Sequence, residues 1–199
     1  MTGAAAPGSP GVDALSRLVA LEEIREVVLR YCRGLDRLDA DLLRSAYLPG
    51  AQDDHGVFVG DAAEFCRRVL ESHRRYDATM HCVLNHLVEL DGPDDARGEA
   101  YVLAHVLRRD DEGAPVHDAW WGRYADRYER RDGRWGIAHR ITVHEWTRRE
   151  PLGAPMRDDT GLFRQGAEDR GTGAVLGPGA FPPRPAATTV GPGAPASAS

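Results

Sequence analysis

The strongest constraint on the fold is a change of pattern near residue 77, where a helical period gives way to long extended runs. Apolar residues recur every three or four positions from Asp13 onward, as in amphipathic helices. Residues 79–90, 97–109, 116–130 and 134–147 then carry β-branched and aromatic side chains, as strands do. A helical block followed by long strands predicts an α+β domain with helices packed on one face of a curved sheet.

Three helices are predicted in the first half of the chain. Leu18, Leu21, Ile24, Val28, Tyr31 and Leu35 form one apolar stripe along the first helix. Asp39 can cap a short second helix, which Pro49 and Gly50 would stop, and Asp61 can cap a third helix over 61–76. The segment AQDDHGVFVG (51–60) between them predicts a short strand and a turn.

Turn-forming segments separate the four extended runs. They read DGPDD, DDEGAP and RDGR. In the last of them, Asp132 and Gly133 are the pair that a two-residue hairpin turn prefers. We therefore expect these strands to be antiparallel neighbours in one sheet.

The two ends of the chain differ in composition from its middle. Residues 1–12 are rich in Ala, Gly and Pro, and residues 151–199 include the run GTGAVLGPGAFPPRPAATTVGPGAPASAS. Such segments bury too little apolar surface to offset the entropy lost on ordering. The composition therefore predicts one domain over residues 13–150, with disordered segments at 1–12 and 151–199.

Charge and cysteine content exclude several classes of protein. The formal net charge of −6 disfavours nucleic acid as the main partner. No apolar run approaches the roughly 20 residues of a membrane span, and the first residues lack the basic and apolar regions of a secretory signal. Cys32, Cys66 and Cys82 lack CxxC spacing and are typical of reduced thiols. We expect a cytoplasmic protein that binds neither nucleic acid nor membranes.

The strand TMHCVLNHLVEL (79–90) carries polar side chains where a buried strand normally has none. By alternation His81 shares a face with Asn85, and His86 lies on the other face unless a bulge intervenes. A lone histidine on an apolar strand is more often a hydrogen-bonded core residue than a catalyst. A carboxylate within reach would instead favour a general base, because it holds the imidazole in one tautomer.

The end of the first predicted helix, YCRGLD, offers such a carboxylate. Tyr31 continues the apolar stripe, and Gly34 loosens the helix so that Asp36 can turn inward. Taken alone, these residues are a half-buried tyrosine and a surface aspartate. In the second long strand, Leu103 and His105 share one face and add another polar group among apolar ones.

The order of these parts resembles the SnoaL-like branch of the nuclear transport factor 2-like superfamily. The resemblance covers residues 14–150 and is carried by RGLDRLDADLLRSAY, by the TxHxxxN pattern of Thr79, His81 and Asn85, and by YADRYERRDGRWGIAHR. It implies a cone-shaped, curved antiparallel sheet wrapped around the N-terminal helices. Several members of this superfamily catalyse eliminations, so the resemblance also implies a lyase.

The resemblance implies roles for individual residues. In the eliminating members an aspartate at the end of the first helix pairs with a strand histidine, and these positions correspond to Asp36 and His81. Tyr31 matches an aromatic hydrogen-bond donor. Arg140 falls on a W-x-I-x-x-R pattern, and His105 resembles a second strand histidine.

These assignments predict a cofactor-independent dehydratase acting on a small apolar substrate, such as a cyclic, polyketide-like or steroid-like molecule. His81 would remove a proton, Tyr31 would hydrogen-bond the developing oxyanion or leaving hydroxyl, and Arg140 would stabilise the departing anion. The side chains predicted to line the substrate pocket are Phe58, Asn85, Leu103, Trp120 and Tyr124. Ordinary core packing is the alternative reading for most of these aromatic residues.

Two other functions fit the same residues. An isomerase or cyclase would use the same base and return the proton to carbon, and a binding or association module would need no catalysis. No metal is expected, because His117, His139 and His144 lack the spacing of a metal site.

Two further features bear on partners and substrate. Leu84, His86, Val88, Val102 and Val106 are predicted to face outward on their strands, and a mostly apolar outer face predicts a homodimer or homotrimer. The polar residues QDDH at 52–55, together with Glu145, depart from an ordinary apolar lining. The identity of the substrate therefore does not carry over from the family.

Overall fold

The computed structural model of the chain describes residues 13–153. The termini predicted to be disordered lie outside this range, apart from residues 151–153. Within it, the helices are α1 (Ala14–Arg37), α2 (Ala40–Ser45) and α3 (Ala62–His73). The strands are β1 (Tyr47–Asp54), β2 (Val59–Asp61), β3 (Ala78–Leu90), β4 (Asp95–Arg109), β5 (Pro115–Arg131) and β6 (Arg134–Pro151). The predicted α+β fold is confirmed.

Each helix begins at a capping carboxylate. Asp13, Asp39 and Asp61 accept hydrogen bonds from backbone N–H groups of the first turn, which stabilises the helix start. Helix α1 ends at Leu38, whose backbone is left-handed with φ of 55°. This end leaves Asp36 in the last turn of α1. No helix in residues 13–153 is long and apolar enough to cross a membrane.

Gly34 lies where α1 meets α2. A Cβ atom at this position would lie 2.6 Å from the backbone nitrogen of Leu43 and 2.7 Å from its Cα. Leu43 is completely buried, so it has no free space into which to move. The close approach of the two helices therefore requires glycine.

We expect Gly34→Ala to destabilise the protein by about 1 to 3 kcal/mol through overpacking, although alanine is the better helix former. Thermal unfolding followed by circular dichroism measures the effect. The matched control is Gly92→Ala, since a Cβ atom at Gly92 meets nothing within 4 Å. An unchanged melting temperature for Gly34→Ala would contradict the tight contact.

The six strands form one sheet in the order β2-β1-β6-β5-β4-β3. Strands β3 to β6 pair antiparallel along the chain, as the turn signals predict. Strand β1 runs parallel to β6, so the sheet is mixed and not wholly antiparallel. Helix α1 contacts both β3 and β6. We call the sheet face covered by the helices the inner face.

A bulge in β3 alters the alternation of its side chains. The register shifts between Val83 and His86, so that His81 pairs with Ala104 and His86 pairs with Ala100. Residues 100 and 104 lie on the same face of β4 and both are buried. Both histidines therefore face inward. Strict alternation would place residues 81 and 86 on opposite faces, and the bulge brings them to the same face.

The prediction of the outward-facing strand residues is wrong for most of its members. Val88 and Val102 are buried, and His86 and Val106 also face inward; only Leu84 is exposed. The apolar side chains exposed on the outer face are Met80, Leu87, Tyr101, Ile141 and Trp146. Self-association remains a prediction, and these side chains would carry it.

Candidate active site

Asp36 and His81 lie in direct contact at the junction of α1 and β3. Nδ1 of His81 is 2.7 Å from Oδ1 of Asp36, and the backbone N–H of His81 donates to Oδ2 at 2.9 Å. The side chains are only 8% and 11% exposed for His81 and Asp36, respectively. The contact predicted between these two residues is therefore present.

The contact with Asp36 selects one tautomer of His81. A neutral imidazole that donates from Nδ1 to a carboxylate carries its lone pair on Nε2. Within residues 13–153, Nε2 of His81 makes no hydrogen bond. His73 stacks on the His81 ring at 6.0 Å and is itself held by a hydrogen bond to the carbonyl of Val69. His81 is thus a fixed ring whose Nε2 has no hydrogen-bond partner within residues 13–153.

Two of the predicted lining residues, Trp120 and Tyr124, lie on the inner face of β5, and a third, Phe58, lies in the loop before β2. Trp120 pairs with Ala104, the strand partner of His81, and stacks on Tyr124 at 6.2 Å between ring centres. Phe58 packs against the core beneath the guanidinium of Arg68. The stacked rings of Trp120 and Tyr124 form an aromatic wall on the inner face.

Leu103, His105 and Asn85, which were predicted as site residues, do not share the inner face with His81. Leu103 and His105 alternate with the buried Val102 and Ala104, so they project from the outer face. Asn85 lies in the bulge of β3 and is exposed. The buried residues Ala96, Ala100, Val102 and Ala104 alternate along β4 and form its inner face, so the larger side chains between them project outward.

His105 has a different neighbour. Its Nδ1 is 2.8 Å from Nε2 of His117, and the two rings stack at 5.0 Å. Burial, and then the neighbouring His117, lower the pKa of His105. A pocket of about 560 Å³ includes both histidines together with Asp36 and Thr79. This pocket lies at the edge strand β3, whereas a second pocket of about 450 Å³ on the outer face does not touch the dyad.

Arg140 lies in the core and not at the dyad. Its Nε and Nη2 atoms donate to the two carboxylate oxygens of Asp126 at 2.7 and 2.6 Å. Its guanidinium carbon lies 4.2 Å from the ring centre of Tyr31 and 3.9 Å from that of Tyr124. Burial opposes the charge, but Asp126 together with Tyr47 and Tyr31 outweighs burial, so the pKa of Arg140 is raised well above its ordinary value. The role predicted for Arg140, stabilising a departing anion, does not fit this closed position.

Tyr31 is completely buried, so its ring enters the core as predicted. Burial raises the pKa of Tyr31 well above its ordinary value, and the hydroxyl therefore stays protonated. Its polar partner is not His81 but His55, with 3.4 Å between the hydroxyl oxygen and Nε2.

Sequence reasoning missed His55 as a site residue. Nδ1 of His55 hydrogen-bonds to Asp53, and Nε2 lies 3.1 Å from Oγ1 of Thr142. The available signal was the polar segment at 52–55, which stands out only as a departure from an apolar strand. In the part of the chain that the structure describes, no group of three or more His, Cys, Asp or Glu side chains could hold a metal ion.

Comparison with known proteins identifies the family and the fold. A family model described as a SnoaL-like domain matches residues 16–141. No curated protein matches the chain.

Solved structures share the fold. A scytalone dehydratase-like protein from Novosphingobium aromaticivorans superposes with a TM-score of 0.60 at 18% identity, over 75% of this chain and 98% of its own. A type 2 hexachlorocyclohexane dehydrochlorinase superposes with a TM-score of 0.62 at 20% identity, over 74% of this chain and 99% of its own. A dehydratase-like protein of the NTF2-like family from Streptomyces avermitilis superposes with a TM-score of 0.54 at 13% identity, over 65% of this chain and 99% of its own. The family match spans more than half of the sequence, and the chain belongs to the SnoaL-like domain family.

Proposed function

We propose that this protein is a cofactor-independent lyase that eliminates water from a small apolar substrate, with His81 as the general base. The hydrogen bond between Nδ1 of His81 and Asp36 carries the proposal, because it leaves the basic nitrogen free. Structural neighbours named as dehydratases and a dehydrochlorinase support a lyase-type or related function.

The geometry suits proton removal from carbon. Nε2 of His81 would accept a proton next to a carbonyl group, and Asp36 would stabilise the resulting imidazolium. Since Asp36 also binds the backbone N–H of His81, ring and backbone are held by one carboxylate. A positioned general base typically contributes about 10²- to 10⁴-fold to a rate.

The aromatic wall indicates the kind of substrate. Trp120 and Phe58 are half-buried and offer flat apolar surfaces, which favour a ring-containing molecule over a charged or extended one. A cyclic hydroxyketone, of polyketide-like or steroid-like character, combines an apolar body with an acidic C–H group beside a carbonyl.

An isomerase or cyclase is the second candidate. It would use the same base but return the proton to carbon. The His81 side chain is only 8% exposed. This low exposure favours return of the abstracted proton to carbon, because a proton shielded from water exchanges slowly with it. A module that only binds its ligand would need no such oriented base.

One experiment separates these functions. The protein is mixed with cyclic β-hydroxyketones in deuterium oxide, and the products are followed by ultraviolet absorbance and mass spectrometry. A lyase forms the conjugated enone with loss of water. An isomerase rearranges the substrate without losing water, and a binding module does neither while still showing saturable binding.

Removal of metal ions is expected to leave the elimination rate unchanged. The proposed base and its partner are both side chains, so no step depends on a bound cation. The check is the rate of enone formation before and after dialysis against EDTA. A loss of activity that added zinc or magnesium restores would contradict a cofactor-independent mechanism.

A further inference from the structure

His105 and His117 form a hydrogen-bonded pair on the outer face of the sheet. His117 lies opposite Leu107, which is two residues from His105 on β4, so the two histidines are diagonal neighbours. Nδ1 of His105 is 2.8 Å from Nε2 of His117. The remaining nitrogens, Nε2 of His105 and Nδ1 of His117, make no hydrogen bond in the part of the chain that the structure describes. Each ring therefore has one nitrogen without a protein partner in this range.

The pair lines the pocket of about 560 Å³ at the edge strand β3. Apolar side chains of the same pocket surround it: Met80 lies opposite His105 on β3, and Leu107 lies opposite His117 on β5. Met80 and Leu152 are 57% and 39% exposed. A pocket of this volume is the size that holds a small organic molecule. The apolar side chains would contact the body of such a molecule beside the histidine pair.

The pair presents one donor and one acceptor, whichever ring donates the shared hydrogen. If Nδ1 of His105 donates, Nε2 of His105 is an acceptor and Nδ1 of His117 carries a hydrogen. If Nε2 of His117 donates, the two roles are exchanged. A hydroxyl group fits both arrangements, because it can donate and accept. An ether or an ammonium group can bond only one of the two nitrogens.

Charged ligands suit the pocket less well than a neutral one. Asp36 and Asp77 line it against one guanidinium, that of Arg37, which disfavours an anion. Burial, and then His117, lower the pKa of His105, so His105 is neutral at pH 7 and adds no positive charge. A metal ion is also a poor occupant, because zinc sites use three or four protein ligands and residues 13–153 contain no suitable group of three or more.

We infer that this pocket is a binding site for a neutral hydroxylated molecule with an apolar body, such as an alkylphenol. The hydroxyl group hydrogen-bonds to the His105–His117 pair, and the body lies against Met80, Leu107 and Leu152.

The inferred site is separate from the proposed base. His81 does not line this pocket, so the inference does not depend on the proposed elimination. Asp36 lines the pocket and also holds the ring of His81. The two sites therefore meet at one carboxylate.

The methyl group of Met80 reports occupancy of the pocket directly. The chain has three methionines, and Met80→Leu identifies the Met80 signal in protein carrying ¹³C at the methionine methyl groups. We expect 4-propylphenol to shift this signal saturably, through the ring current of the bound ligand. It should bind about 2- to 10-fold more tightly than propylbenzene, the range expected for one hydrogen bond.

Substitutions test whether the histidine pair causes this preference. His105→Phe combined with His117→Phe replaces both imidazoles with flat apolar rings and should make the phenol bind no more tightly than propylbenzene. His139→Phe is the matched control, since His139 is exposed and lies outside this pocket; it should keep the preference. His81→Gln should keep it as well, and loss of phenol binding in that variant would instead place the ligand at the dyad and overturn the inference.

A comparison of head groups tests the inference with the wild-type protein alone. The 4-propylbenzoate and 4-propylbenzylammonium ions carry the same body as the phenol, and both should bind more weakly. A Met80 signal that millimolar 4-propylphenol leaves unmoved, equal binding of the phenol and propylbenzene, or tighter binding of either ion would overturn the inference. So would a preference for the phenol that survives in a double variant shown by circular dichroism to be folded.

Discussion

Replacing His81 with glutamine is expected to lower kcat/KM for enone formation by about 10²- to 10⁴-fold, the usual contribution of a positioned general base. Glutamine has a similar size and is polar, but it cannot accept a proton at neutral pH. The fold should survive, because the Asp36 carboxylate can still accept the backbone N–H of residue 81. Steady-state kinetics and a thermal melt of the same preparation measure the two effects.

The control for this substitution is a double variant. If Asp36 and His81 act as one unit, Asp36→Asn combined with His81→Gln should be no slower than the worse single variant, because the second change removes nothing further. A histidine that served only core packing would behave differently. His81→Gln would then lower the melting temperature, and the remaining activity would match the folded fraction.

Breaking the Arg140–Asp126 pair is expected to cost about 3 to 5 kcal/mol of unfolding free energy. Arg140→Met removes both hydrogen bonds to Asp126 and the cation–π contacts with Tyr31 and Tyr124. It leaves a buried carboxylate whose remaining partner is the hydroxyl of Tyr128. Urea denaturation followed by tryptophan fluorescence measures the loss.

Two further variants show whether burial is the cause. Arg127→Met removes an exposed ion pair with Glu129 and should cost no more than about 1 kcal/mol. Arg140→Met combined with Asp126→Leu should recover part of the stability, because no unpaired charge then remains in the core. A loss below about 1 kcal/mol for Arg140→Met alone would show that the pair is dispensable.

Local signals in the sequence predicted the parts of the fold that depend on neighbouring residues. The two predicted helix caps, at Asp39 and Asp61, both form. Asp132 and Gly133 both have positive φ, 52° and 74°, as the hairpin between β5 and β6 requires. Such features are readable because each involves a few consecutive residues.

Features that depend on distant residues were not predictable in the same way. The face of β4 on which His105 lies depends on the register of β4 with β3 and β5. The bulge in β3 is a single irregularity of pairing. The Asp36–His81 contact came from resemblance to a family and not from spacing. His55 contacts Tyr31 and Thr142, which are 24 and 87 residues away in the sequence. Its surroundings could therefore not be predicted from its sequence neighbours.

The parallel pairing of β1 with β6 has a consequence for biosynthesis. Gln52 pairs with His139, so β1 leaves the ribosome long before its neighbour exists. Until then the apolar side of the nascent helices is uncovered, and contacts of such sequence separation form slowly. Chaperone dependence during translation should accordingly end only when the last hairpin has emerged, and truncation before residue 134 should yield an aggregation-prone chain.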